Sequence, residues 1–224
     1  MAEVELTSNF DTASAQELAV RSDLHLSRKL WHMGTGLLGL YSYFHLFEST
    51  RFFAYATLII AVLGIGIDFF RLRWPDLNRI FLKVGSPFLR NSEINGYSGL
   101  PFYALGVSLS LFMFQKHIAL ISIMFLIFAD PISSLVGILF GQHKILQNKS
   151  LEGSVAGFCT CYVVALSYGV LHTEAFSQLL PFAFFGGVVG AVAELISINI
   201  DDNLAIPLLS GVGLTFLNLF FQVF

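Results

Sequence analysis

Residues 129–154 read ADPISSLVGILFGQHKILQNKSLEGS. The stretch opens at the end of an apolar run with Asp130-Pro131. It carries Ser133, Ser134, Gly137 and Gly141 at helical spacing, and closes on Lys149-Ser150 and Glu152-Gly153-Ser154. A carboxylate inside a membrane costs about 2.5–3.5 kcal/mol on the insertion scale, so Asp130 is a functional candidate. Asp is also a good N-cap and Pro suits the first helical position, which makes a helix restart the plain structural reading. The two are compatible: a restart within the bilayer offers backbone N–H groups to an anion, or its Asp to a cation. Ser133, Gly137 and Gly141 form one small-residue face, for which close helix packing is a sufficient explanation.

The composition around this stretch supports a membrane setting. Of 224 residues, 55% are hydrophobic and only 12% charged, with a mean hydropathy of +0.74. An ordinary soluble domain has about 25% charged residues. The deficit, with long apolar runs, predicts an all-α polytopic bundle of about seven transmembrane helices. The spans are expected at residues 30–47, 52–70, 100–114, 118–140, 155–171, 179–200 and 204–224. Residues 1–27 are read as a cytoplasmic or interfacial segment with a short helix at residues 14–21, not a secretory signal, and residues 28–224 as the catalytic domain. Cys159 and Cys161 are expected to be free thiols. No repeat or low-complexity linker divides the chain.

Basic residues set the orientation. With the N-terminus in the cytoplasm, Arg21, Arg28, Lys29, Arg71, Arg73, Arg79, Lys83, Arg90, Lys144 and Lys149 lie inside, and only Arg51 and Lys116 outside. The same threading collects nearly every unusual polar group at the cytoplasmic end. That one-sidedness predicts an active site facing the cytoplasm.

Lys149-Ser150-Leu151-Glu152-Gly153-Ser154 combines a point charge suited to phosphate, a capping serine and free N–H groups behind it. Gly141 and Gly153 are expected to leave the backbone open on both sides. An ordinary basic loop capping a helix would look similar. Arg28, Lys29, His32 and Gly36 follow one another at helical spacing. A positive-inside anchor explains Arg28 and Lys29 but not His32, for which a hydrogen bond to a neighbouring helix is the simpler alternative. Glu194 lies within a span, and Asp201-Asp202-Asn203 follow it, as a metal site or as a helix cap. Hard oxygen ligands opposite basic groups suit magnesium, or calcium, shared with substrate phosphates.

Arg28-Lys29-x-x-His32, residues 93–103 (EINGYSGLPFY), Asp130-Pro131 with Gly137 and Gly141, Lys149-Ser150-x-Glu152-Gly153-Ser154, and Glu194 with Asp201-Asp202-Asn203-Leu204 and Pro207 occur in that order. Together they resemble the membrane lipid kinases that include CTP-dependent diacylglycerol kinase, dolichol kinase and phytol kinase, related in turn to phosphatidate cytidylyltransferase. The resemblance covers residue 28 to the C-terminus. It implies transfer of the γ-phosphoryl group of CTP, or another nucleoside triphosphate, to a lipid alcohol such as diacylglycerol or a polyprenol, with a divalent metal. On that reading Arg28, Lys29, His32, Lys149, Ser150, Gly153 and Ser154 bind the nucleotide. Asp130, Asp201 and Asp202 hold the metal. Glu152 or Glu194 contacts the metal or acts as base, and Glu93, Gly137, Gly141 and Asn203 support the site. Membrane lipids are the expected surroundings and nucleic acid is not an expected partner. No P-loop or protein-kinase motif set is present. Two alternatives stay open: CDP-lipid synthesis at a similar site, and a transporter, which would spread polar groups along a path instead of gathering them at one end.

Overall fold

The computed structural model describes residues 26–85, 89, 93–146, 149–197 and 200–224. The helix expected at residues 14–21 and Arg90 lie outside the described residues. The fold is a helical bundle, as expected. Its elements are α1 (Leu26–His45), α2 (Thr50–Arg73), α3 (Pro75–Gly85), α4 (Gly99–Met113), α5 (Lys116–Phe140), α6 (Leu151–His172), α7 (Phe176–Ile196) and α8 (Asp202–Phe221). A two-stranded antiparallel hairpin, β1 (Lys144–Leu146) with β2 (Lys149–Ser150), joins α5 to α6. Nothing in the sequence reading foretold that hairpin.

Among the described residues, five helices are long and apolar enough to cross a membrane: α2, α5, α6, α7 and α8. Their outward faces carry residues such as Ile59, Leu63, Leu171 and Phe220, exposed as lipid-facing side chains are. α4 has 15 residues, about 23 Å at 1.5 Å per residue, shorter than a ~30 Å hydrocarbon core. α3 is the amphipathic helix of the basic segment, with Arg79 and Lys83 on one side and Leu77 and Ile80 on the other.

α5 is the axis of the bundle, touching α1, α4, α6 and α8. Ile118, Ala119, Leu120, Ile121, Phe125, Leu126 and Ile127 are each no more than 2% exposed. A helix that is apolar all round belongs in such a position. Without a hydrophobic drive between helices in lipid, close van der Waals packing has to hold them. The α5–α6 contact is built that way: a Cβ on Gly153 would come within 2.8 Å of the Ser133 carbonyl oxygen and 3.2 Å of the Gly137 Cα.

The restart expected at Asp130 is not observed. Ala129 and Asp130 both keep right-handed helical backbone, and α5 runs through Asp130-Pro131 after a π-helical segment, Phe125–Ala129. A proline in a helix lacks the N–H and crowds the preceding turn. Widening that turn to π geometry keeps the helix continuous instead of breaking it. Free helix-start N–H groups are therefore not what Asp130 contributes.

Candidate active site

The polar groups do gather at one end of the bundle, held by a buried ion pair. Asp68 and Arg71, one turn apart at the end of α2, meet at 2.6 Å and are at most 2% exposed. Arg71 also donates to Asn78 Oδ1 (2.8 Å) and to the carbonyls of Glu93 (3.1 Å) and Gly96 (2.6 Å), and lies over the Phe81 ring. The second Asp68 oxygen accepts from the Ser98 amide (2.8 Å) and hydroxyl (2.7 Å). The planar fork of arginine suits this multiple role. The pair ties residues 93–98 to α2 and α3 and so fixes Glu93. Neither Asp68 nor Arg71 was expected in the site; their spacing at the end of an apolar span was the available signal.

Glu93 in turn pairs with Arg28 of α1 at 3.5 Å. A Cβ on Gly99 would meet Asn203 Nδ2, Glu93 Oε1 and Arg28 Nη2, so α1, α4, α8 and the 93–98 segment converge there. Together with α2 and α3 they bound a recess of about 230 Å³, mostly apolar in its lining, whose polar groups include Arg28, His32, Asp68, Glu93, Tyr103 and Asn203. Lys29 precedes the apolar part of α1. Burial pushes its ammonium below the usual lysine range; the Asp130 carboxylate pulls the other way, and Arg28 adds to the lowering. Arg28, Glu93 and Asn203 thus meet around Gly99.

His32 takes the alternative reading. Its Nε2 lies 3.0 Å from the Leu126 carbonyl in the π-helical segment, and its ring meets Tyr103 edge-on at 4.7 Å.

On the other side of the same α5 turn, Lys149 Nζ contacts Glu194 Oε1 at 2.6 Å. Glu194 is 6% exposed. Its second oxygen stands 2.8 Å from where a Gly157 Cβ would be, and Ser133 Cβ is 3.2 Å from the same point. Ser133 Oγ donates to the Asp130 carbonyl at 3.1 Å. Lys149 is delivered by β2, Glu194 by the end of α7, and both reach α5 within a turn of Asp130. Ser150 caps α6, its Oγ accepting from the Gly153 amide at 3.1 Å, and Ser154 lies half-buried in the first turn.

Three expectations change here. Gly141 and Gly153 do not leave open backbone. Added Cβ atoms would strike Ser150 Oγ at 2.7 Å and the Ser133 carbonyl at 2.8 Å, and Gly137 faces Ser150 and Gly153 likewise. These glycines pack α5 on α6. Glu152 turns to His143, its Oε1 2.7 Å from Nδ1, and both carboxylate oxygens accept from the His143 amide at 3.3 Å. Asp201 caps α8: Oδ1 accepts from the Asn203 amide (3.0 Å) and Nδ2 (2.9 Å), and Asp202 Oδ1 accepts from the same amide at 3.1 Å. Among the described residues, no three His, Cys, Asp or Glu side chains cluster as a metal-binding group, so Asp130, Asp201 and Asp202 do not form a closed cage.

No protein-family profile matches the chain, and no solved structure matches it. Individual proteins do. The chain is 34% identical over 174 residues to CTP-dependent diacylglycerol kinase 1 of Schizosaccharomyces pombe, covering 70% of this chain and 80% of that protein. It is 31% identical over 209 residues to CTP-dependent diacylglycerol kinase 1 of Saccharomyces cerevisiae, covering 83% and 71%. It is 26% identical over 220 residues to phytol kinase 1, chloroplastic, of Arabidopsis thaliana, covering 91% and 69%.

Proposed function

The chain belongs to the membrane lipid kinase family of the CTP-dependent diacylglycerol kinases and phytol kinases, and from that premise we propose that it transfers the γ-phosphoryl group of CTP to the hydroxyl of a membrane lipid alcohol, diacylglycerol first among the candidates. The observation that carries this reading is the meeting of Arg28, Lys29, Asp130, Lys149 and Glu194 around one end of an otherwise apolar bundle. Seven crossing helices with the N-terminus in the cytoplasm would open that end to cytoplasmic nucleotide.

Phosphoryl transfer asks little covalent chemistry of a protein; it asks for positioning and neutralised charge. Arg28, Lys29 and Lys149 supply the positive charge for the triphosphate. Lys149 is held by Glu194 and exchanges that carboxylate for phosphate when the nucleotide enters. The lipid oxygen bonds to the γ-phosphorus as the bond to the β–γ bridging oxygen breaks, and CDP leaves with that oxygen. Glu194, released by Lys149, takes the hydroxyl proton. Glu152 is the weaker base candidate because His143 already occupies it.

Asp130 and the Asp201–Asp202 pair have the hard-oxygen chemistry that magnesium prefers. A site sharing the ion with phosphates needs only one or two protein carboxylates, so the lack of a three-residue cluster is compatible with it. Bound magnesium would neutralise charge on the phosphate oxygens.

The test is a purified-protein assay of diacylglycerol, polyprenols and phytol, each with CTP and with ATP. Phosphorylated diacylglycerol formed faster with CTP is the expected result. No phosphorylated lipid from any pair would overturn the proposal.

A further inference from the structure

Beside that recess lies a second cavity, of about 310 Å³, walled by α1, α2, α4 and α5. Its lining is apolar, with Leu40, Phe53, Val107, Leu111, Leu120 and Ile127 among the residues. α1 rests on α5 but makes little contact with α2 or α4 along this length, and the cavity is the space between them. Tyr43, Phe47 and Phe53 close its far end with edge-on ring contacts, and Tyr43 Oη meets Thr50 Oγ1 at 2.8 Å. The buried Thr57 hydroxyl is turned back to its own helix, to the carbonyls of Phe53 (3.1 Å) and Ala54 (3.0 Å), so it offers nothing polar to the space.

Three features make this cavity more than loose packing. It adjoins the recess that holds Arg28 and Glu93, since Thr35, Leu100 and Tyr103 line both. It opens sideways: Leu38 and Ile60 line it while being 65% and 51% exposed on the lipid-facing surface between α1 and α2. And the Tyr103 hydroxyl, at the neck between the two spaces, is buried with no hydrogen-bond partner. It lies against Gly36, where a Cβ would collide with it. A buried hydroxyl left unpaired is destabilising, and a ligand oxygen would satisfy it.

We infer that the cavity between α1, α2, α4 and α5 is the slot for one hydrocarbon chain of the lipid alcohol, entered from the bilayer between α1 and α2, and that Tyr103 hydrogen-bonds an oxygen at the head of that chain. The inference rests on the lipid-kinase reading for the identity of its occupant. It goes beyond that reading in locating the acceptor and in naming residues that act on lipid alone. The head of the lipid then points into the recess lined by Arg28, Asp68, Glu93 and Asn203.

Two glycines on α1 provide the test. A Cβ at Gly39 meets nothing within 4 Å, and Gly39 lines the slot, so Gly39→Phe adds bulk at the slot wall without a Cβ clash. Gly34 is equally open but lines neither cavity, so Gly34→Phe is the matched control. The full chain, in nanodiscs, is photolabelled with a diacylglycerol carrying a diazirine on one acyl chain, and the labelled positions are mapped by mass spectrometry. Label is expected on Ala56, Ile60, Val107 and Leu111. Gly39→Phe should lower it about tenfold and raise the KM for dioleoylglycerol by a similar factor, with the KM for CTP unchanged. Gly34→Phe should change none of these. Tyr103→Phe, which keeps the ring, should raise the lipid KM roughly three- to tenfold and leave the CTP KM alone. Label confined to the outer faces of the helices, or unchanged in Gly39→Phe, would overturn the slot. A wild-type protein that labels in the slot but phosphorylates no lipid would retain the slot and remove the kinase reading instead.

Discussion

His32 Nε2 donates to the Leu126 carbonyl at 3.0 Å, joining α1 to the π-helical segment of α5. A carbonyl only accepts, so Nε2 carries the proton. Pro131 stands five residues after Leu126, where a π-helical hydrogen bond would draw its donor, and proline has no N–H to give. The histidine on one helix and the proline on another therefore form one device. It keeps α5 continuous through Asp130 and presents that carboxylate to the face where Lys29 lies.

If His32 serves that carbonyl, His32→Ala leaves it buried without a donor. The expected cost is about 1–3 kcal/mol, seen as a lower unfolding midpoint in detergent. His32→Gln, which keeps an N–H donor, should recover part of it. An unchanged midpoint in His32→Ala would show that Leu126 needs no partner.

Arg71 is engaged by Asp68, Asn78, Glu93 and Gly96 at once. Arg71→Ala should destabilise by about 3–5 kcal/mol, because it strands a buried carboxylate. Arg71→Lys should rescue little, since an ammonium cannot span those acceptors. Thermal unfolding of the purified variants checks both; full stability in Arg71→Lys would mean that charge alone suffices.

Lys149→Ala should raise the nucleotide KM by about tenfold or more, the loss of one charge-assisted phosphate contact, with little change in the lipid KM. Steady-state kinetics with each substrate varied separately decide it. Equal effects on both constants would indicate that Lys149 only holds Glu194 and ties β2 to α7.

Chelation should abolish activity and added magnesium restore it. Asp130→Asn, nearly the same shape, should remain folded but fail to recover with magnesium. Recovery to the wild-type rate would take Asp130 out of the metal's surroundings.

The sequence was readable where a side chain's cost in lipid exceeds any local use for it. Arg28, Asp130, Lys149 and Glu194 stand out for that reason, and all meet partners at one end of the bundle or act on one another there. It was less readable where one residue has two adequate explanations. Asp130-Pro131 looked like a helix start because both residues favour one, yet the tertiary setting kept the helix going and placed the consequence at Leu126. Gly137 and Gly141 suited close packing, Gly141 and Gly153 a backbone left open to phosphate, and spacing alone does not separate the two; packing won. Tyr103 closed the 93–103 motif with no role of its own, since a tyrosine in an apolar helix is ordinary until its hydroxyl is found without a partner.

The central claim is transfer of the terminal phosphate to a lipid alcohol. It is tested most directly by incubating the purified protein and dioleoylglycerol with CTP labelled at either the α or the γ phosphorus, then counting label in the extracted lipid. The account predicts γ label in a phosphorylated lipid and no α label. Lipid carrying the α label, with release of pyrophosphate when a lipid phosphate is supplied, would contradict it and assign the site to CDP-lipid synthesis.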